Sequence, residues 1–166
     1  MDIQQMKFRK GSINDFDNLN WFWTENHQKT KEKFIFRINK GMQELWVVEY
    51  RECLIGELHI VWNSVDKDEA DGLKRAYIFS YRVKPNFQGK SVGSKLMNKV
   101  LDRIREKNFT EATVGVETNE VHLKKMYNNW GFNDFIKTKD IDHHGFTSKG
   151  QYKSVPSYDL FLNKLW

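Results

Sequence analysis

The chain has 166 residues, a length that suits one domain burying roughly 70% of its unfolded surface. Its aromatic content of 14%, from 12 Phe, 6 Trp and 6 Tyr, can fill a substantial core, and with only 2 Pro and 10 Gly it shows no linker, repeat or low-complexity tract. Lys and Arg number 27 against 22 Asp and Glu; the net charge of +5 mildly favours anionic ligands, but no run of like charge is long enough for a nucleic-acid-binding tail.

In chain order, Lys7 to Lys10 reads as a short strand, and Ser12 as the N-cap of a helix with Ile13, Phe16 and Leu19 turned inward. Trp21-Phe22-Trp23 forms an aromatic knot before a second helix, from about His27 to Asn39, which Gly41 closes. Leu45 to Tyr50 and Cys53 to Trp62 are strands joined by a tight turn at Arg51-Glu52. Cys53 is the single cysteine, so an intramolecular disulfide is excluded and a reducing compartment fits; within an apolar strand it reads as a small buried hydrophobe. A polar loop, Asn63 to Lys74, follows. Its acidic run Asp66 to Gly72 lacks calcium-loop ligands, with Ala70 at a ligand position and no acid at the twelfth, and reads as solvated.

Ala76 to Val83 is the next strand, with Tyr77, Phe79, Tyr81 and Val83 on one face, and Pro85 ends it because it has no N–H for a ladder. After the turn Gln88-Gly89-Lys90-Ser91, a helix carries Val92, Leu96, Met97, Val100, Leu101 and Ile104 at a 3.6-residue period. A small-residue turn opening a helix aims several N–H groups at one point, which makes an anion site; an ordinary strand–turn–helix corner is the alternative. Thr113 to Glu117 is a strand, followed by a helix capped by Thr118 or Asn119 that sets Leu123, Met126, Tyr127 and Trp130 on one face and ends at Gly131. Phe132 to Thr138 and Tyr158 to Leu162 are the last strands. In the polar stretch between them His143-His144 lacks partners at metal-ligand spacing, so no metal is expected. The order β-α-α-β-β-β-α-β-α-β-β argues an α/β or α+β fold around one sheet.

The helix ending Tyr127-Asn128-Asn129-Trp130-Gly131-Phe132, one strand after the Gln88-to-Gly93 turn, resembles the paired signatures of the GNAT superfamily of acyl-CoA-dependent N-acetyltransferases. Gln88 and Gly93 fall in register with that family's Arg/Gln-x-x-Gly-x-Gly/Ala pyrophosphate loop. Ser91 stands at its first glycine, and Glu120, beside Asn119, at a position where the family often has asparagine. The resemblance implies one domain over residues 1–166, with a mixed, splayed sheet of six to seven strands flanked by about four helices. It implies acetyl-CoA as donor, held by the N–H groups of Gln88, Gly89, Lys90, Ser91, Val92, Gly93 and Ser94 at its diphosphate. Backbone groups near Tyr81 and Val83, together with Asn119, would contact the pantetheine arm or acetyl carbonyl. Tyr127 becomes the general acid for the departing thiolate, although its helical spacing alone favours a core position.

Histone-type members carry a glutamate base where this chain has Tyr77, so the base must lie elsewhere. Glu57, His59 or Glu117 could relay the proton through water, and Glu57 is the one selected. The expected reaction is direct transfer of acetyl to a primary amine of a small molecule; a protein amino group, or a non-catalytic acyl-CoA-binding regulatory module, are the alternatives. The N-terminal residues show no secretion signal and no apolar run approaches a membrane span, so the expectation is a soluble, cytoplasmic protein. A homodimer is left open, and nucleic acid, suggested only by a pI near 9.2, is not expected as a partner.

Overall fold

Near-continuous apolar runs in Gln43–Tyr50 and Cys53–Val61, covered on both faces, build the first half of a single sheet. In the computed structural model, which describes residues 2–166, β1 (Lys7–Lys10), β2 (Gln43–Tyr50), β3 (Cys53–Val61) and β4 (Arg75–Val83) pair antiparallel in chain order. The β2–β3 turn holds both central residues left-handed, Arg51 at φ 50° and Glu52 at φ 66°, which matches the twist of the flanking strands. Cys53 is exposed rather than buried, because it pairs with Tyr50 beside this open turn instead of farther along the covered strand.

β4 meets β5 (Glu111–Glu117) in parallel only from Arg75 to Tyr77, opposite Glu111 to Thr113. Beyond that the two part, and β5 continues along β7 (Tyr152–Lys164), which pairs in turn with β6 (Asp134–Phe146). The full strand order is β1-β2-β3-β4-β5-β7-β6. The stretch expected to separate two short final strands instead lengthens them into a hairpin that pairs across three register shifts.

The stripe expected of Tyr77, Phe79, Tyr81 and Val83 is broken. Glu57 faces Arg82 and His59 faces Phe79, so Ser80 and Tyr81 together oppose Leu58, with Ser80 at φ 55°. Such a bulge reverses the alternation. Arg82 therefore follows Tyr77 and Phe79 onto one face, while Val83 joins Ile78 in the core on the other, with Tyr81 packed against it.

α2 (Val92–Glu106) buries all six residues of its predicted stripe on that second face. α1 (Gln28–Asn39), ended by Gly41 at φ 72°, covers the opposite face, with Phe34 among Phe16, Leu19, Trp23, Leu45 and Val47. The segment after Ser12 is a 3₁₀ helix, Ile13–Asn18, held by Asp15, which accepts from the Ser12 N–H at 2.8 Å and pairs with Arg9 at 2.9 Å. α3 (Val121–Asn129) is capped by Glu120, not by Thr118 or Asn119, and among its predicted inward residues only Tyr127 is buried within it. No helix among the described residues is long and apolar enough to cross a membrane.

Candidate active site

Where β4 and β5 separate, two cavities open that share Arg82. The larger, about 520 Å³, is lined by Tyr81 and Val83 of β4, Gln88, Gly89 and Gly93 of the turn, and Leu123 and Met126 of α3. That role explains why the two α3 residues stay uncovered by protein.

The turn is built for donors. Pro85–Phe87 forms a 3₁₀ turn, and the Gln88 side chain donates to the Val83 carbonyl at 2.9 Å, bracing the turn against the strand end. Gly89 takes φ 75° with open space where a Cβ would stand. Ser91, the N-cap of α2, is left-handed at φ 65°, a conformation that costs a non-glycine residue about 1–2 kcal/mol. The N–H groups of Gly89 through Ser94 have no partner among the described residues, and the positive end of the α2 dipole lies on them. Val92 offers only its N–H, its side chain being buried in the core, and Lys90 is exposed. At Gly93 the room a Cβ would need is filled by the Tyr81 hydroxyl and the edge of Trp130. Lys95 and Lys99 face away from the turn, into a depression against Ile3 to Phe8. Asn119 is exposed and does not line the groove.

The smaller cavity, about 270 Å³, has Tyr77, Phe79, Ser80 and Arg82 of β4 on one wall, with Gly115, Glu117, Tyr127, Asp142, Pro156 and Tyr158 completing it. A Cβ at Gly115 would meet the Tyr158 ring at 2.6 Å and the Tyr77 hydroxyl at 3.0 Å, so only glycine lets these rings close the floor. Burial pushes the Tyr127 phenol well above its ordinary pKa, with a smaller push from Tyr81, and it keeps its proton throughout the neutral range.

Residues 12–132 match the acetyltransferase (GNAT) family. The chain belongs to the GNAT acetyltransferases. Enzymes of this family take their acetyl group from acetyl-CoA. No curated protein sequence matches the chain. Among solved structures, a GNAT-family acetyltransferase from Staphylococcus aureus shares the fold at TM-score 0.70 and 15% identity, covering 97% of this chain and 99% of its own. One from Elizabethkingia anophelis, with acetyl-CoA bound, gives 0.67 at 13% identity with 97% and 99% covered. A ribosomal-protein-alanine N-acetyltransferase from Escherichia coli gives 0.67 at 12%, with 96% and 94% covered.

The GNAT donor fits the larger groove on this chain's own features. Unbonded N–H groups from Gly89 to Ser94 suit a diphosphate, and the β4 edge freed past Tyr77 leaves backbone polar groups beside Tyr81 and Val83 for an amide-bearing arm.

Two buried networks of this acetyltransferase flank the smaller cavity. Glu57 has no exposed surface; its oxygens accept from Trp23 Nε1 at 3.1 Å, His59 Nε2 at 2.9 Å and Arg82 Nη1 at 2.9 Å. Burial pushes the Glu57 carboxyl up, but these donors outweigh it and hold it below the usual carboxylate range, whereas burial holds His59 down. Glu57 thus reaches the cavity only through Arg82, and His59 is likewise sealed in.

The second network overturns the solvated reading of the Asp66–Gly72 loop, since Glu69 and Ala70 are fully buried. Asp66, Glu69 and His143 come within 4.8 Å of one another, a metal-like grouping invisible in sequence spacing. The Lys139 ammonium sits among the carboxylates, 2.6 Å from Asp66 and 2.9 Å from Glu69, and supplies the neutralising charge itself. Sequence reasoning missed Arg82, Asp142 and Tyr158 as cavity residues; none stands in a motif, and a bulge or a distant hairpin delivers each.

Proposed function

We propose that this acetyltransferase moves acetyl from acetyl-CoA directly to the primary amine of a small molecule, with Tyr127 as general acid. One observation carries the reading: the phenol of Tyr127 lines a cavity at the gap between β4 and β5. Bound acetyl-CoA supplies the acetyl group as a thioester, whose sulfur needs a proton as it departs. Tyr127 carries such a proton at neutral pH and hands it to the departing thiolate, which is the stronger base beside it once the C–S bond breaks in the enclosed site. Backbone groups of the freed β4 edge near Tyr81 and Val83 serve to orient a carbonyl, and the Gln88–Ser94 turn anchors the diphosphate.

On the acceptor side, Glu117 lines the cavity and is exposed, so it takes the ammonium proton through water. Glu57, with its oxygens occupied by three donors, acts by fixing Arg82 in place. A cavity of about 270 Å³ walled by aromatic rings suits a small acceptor, met in the reducing cytoplasm that an exposed, unpaired Cys53 tolerates.

Tyr127→Phe should lower kcat about 100-fold on any amine that the wild type acetylates, with acetyl-CoA affinity by calorimetry unchanged. An unaltered kcat where chemistry limits the rate would remove Tyr127 from the mechanism. Tight donor binding with no turnover across an amine and peptide panel would favour the regulatory binding module instead.

A further inference from the structure

Arg82 occupies the junction of the two cavities and lines both. It is there because of the β4 bulge; in an unbroken strand the side chain after Tyr81 would face α2. Its guanidinium is clamped: Nη1 donates to Glu57 at 2.9 Å, the Phe22 ring centre lies 3.3 Å from Cζ, and Trp23 closes in at 5.5 Å. A guanidinium has five donor hydrogens in a rigid fork. Only Nη1 is bonded among the described residues, which leaves Nε and Nη2 unclaimed. Glu57 has no need of them, because Trp23 and His59 also donate to it. Across the gap, β5 and β6 bring Glu117 and Asp142 to the same cavity. One wall is therefore cationic and the facing wall anionic.

We infer that Arg82 binds a carboxylate on the acetyl acceptor, which makes the acceptor an amine of the amino-acid type rather than a polyamine. The inference rests on the small-amine reading above. The free edge of the fork meets a carboxylate through charge-assisted hydrogen bonds, and the ammonium end lies toward Glu117. A polyamine would bring a cation against Arg82 with nothing to pair it.

The test uses matched probes with the full chain: L-phenylalanine against L-phenylalaninamide, L-methionine against L-methioninamide, and spermidine as an amine without a carboxylate. The amide's amine is the less basic of each pair and is more deprotonated at neutral pH, so a preference for the acid runs against intrinsic reactivity. The wild type should prefer the acid by about 10- to 100-fold in kcat/KM, mostly through KM, the range expected for hydrogen bonds to a charged group. Arg82→Lys keeps a cation opposite Glu57 but loses the fork; the acid's kcat/KM should fall about 10- to 100-fold further than the amide's, which erases most of that preference. Arg82→Gln should do the same, and if it fails to fold, the lysine variant is read alone, with melting temperature and acetyl-CoA calorimetry confirming its fold. Equal or better use of the amides or spermidine, equal losses on both members of a pair, or turnover of neither while acetyl-CoA binds would each overturn the carboxylate site and leave the donor site standing. Failure of the wild type to bind acetyl-CoA would overturn both.

Discussion

Glu69 lies in a loop whose composition is that of a solvated turn, yet it has no exposed surface. Its carboxylate accepts from Ser64 Oγ at 2.9 Å, Lys139 Nζ at 2.9 Å and His144 Nε2 at 3.1 Å. Arg37 contacts Nδ1 of His144 at 3.0 Å and can only donate, so the ring proton sits on Nε2, aimed at Glu69. Burial alone would raise the Glu69 carboxyl; the hydrogen bond from His144 and the ammonium of Lys139 outweigh it and hold the group at about 2. A carboxyl depressed on folding contributes stability that is full above its ordinary value of 4.5 and is lost as pH falls through about 2. The contribution at neutral pH is on the order of 3 kcal/mol. Glu69→Gln should therefore lose about that much in urea unfolding at pH 7, and its deficit against wild type should shrink between pH 4.5 and 2. A deficit independent of pH would show that shape, not charge, is what Glu69 provides.

At the scale of elements, left-handed backbone at non-glycine residues marks four places among the described residues: the β2–β3 turn, the β4 bulge, the N-cap of α2 and Asn108 just past the end of α2. The turn is the cheapest to relieve. Glu52 sits at φ 66° on an exposed corner, and Glu52→Gly should stabilise the protein by about 1 kcal/mol, a rise of roughly 2–4 °C in melting temperature. No gain in a thermal melt would mean that the local twist already absorbs the strain. Ser80 and Ser91 are different, because each sets local geometry: the bulge turns Arg82 into the smaller cavity, and Ser91 at φ 65° opens α2 on a turn whose N–H groups stand unbonded among the described residues. Strain at such positions is retained with the geometry it produces.

Taken as a whole, the molecule is a sheet that divides. β1 to β4 carry the halves of both cores, β5 to β7 form a second antiparallel unit, and within the sheet the two pair through three residue pairs of β4 and β5. The larger groove bridges the two units through α3, so a donor bound there should stiffen the join. Acetyl-CoA at a hundredfold excess over its Kd should stabilise the native state by about 2.7 kcal/mol, a melting rise of roughly 5–10 °C in differential scanning fluorimetry. Free CoA should retain most of that rise, and ATP, which lacks the pantetheine arm, much less. A melting temperature indifferent to acetyl-CoA would mean that the groove is closed to it.

The sequence by itself determined most of the helices and strands and the turn that opens α2, because these are written in local spacing. The α2 stripe, Gly41, the Arg51-Glu52 turn and the Gln88–Ser94 segment depend on neighbours a few residues away, and the two spaced signatures carried the family and hence the dividing sheet. Tertiary structure alone decided the smaller cavity. Arg82 reaches the smaller cavity through a bulge that leaves no trace in hydrophobic periodicity. Glu57 and Glu69 are buried because donors from residues as distant in sequence as Trp23 and His144 satisfy them, and Tyr158 and Asp142 arrive on a hairpin whose polar composition resembles a loop. Desolvating a charge is tolerable only when its partners are in place, and those partners come together only in the folded chain.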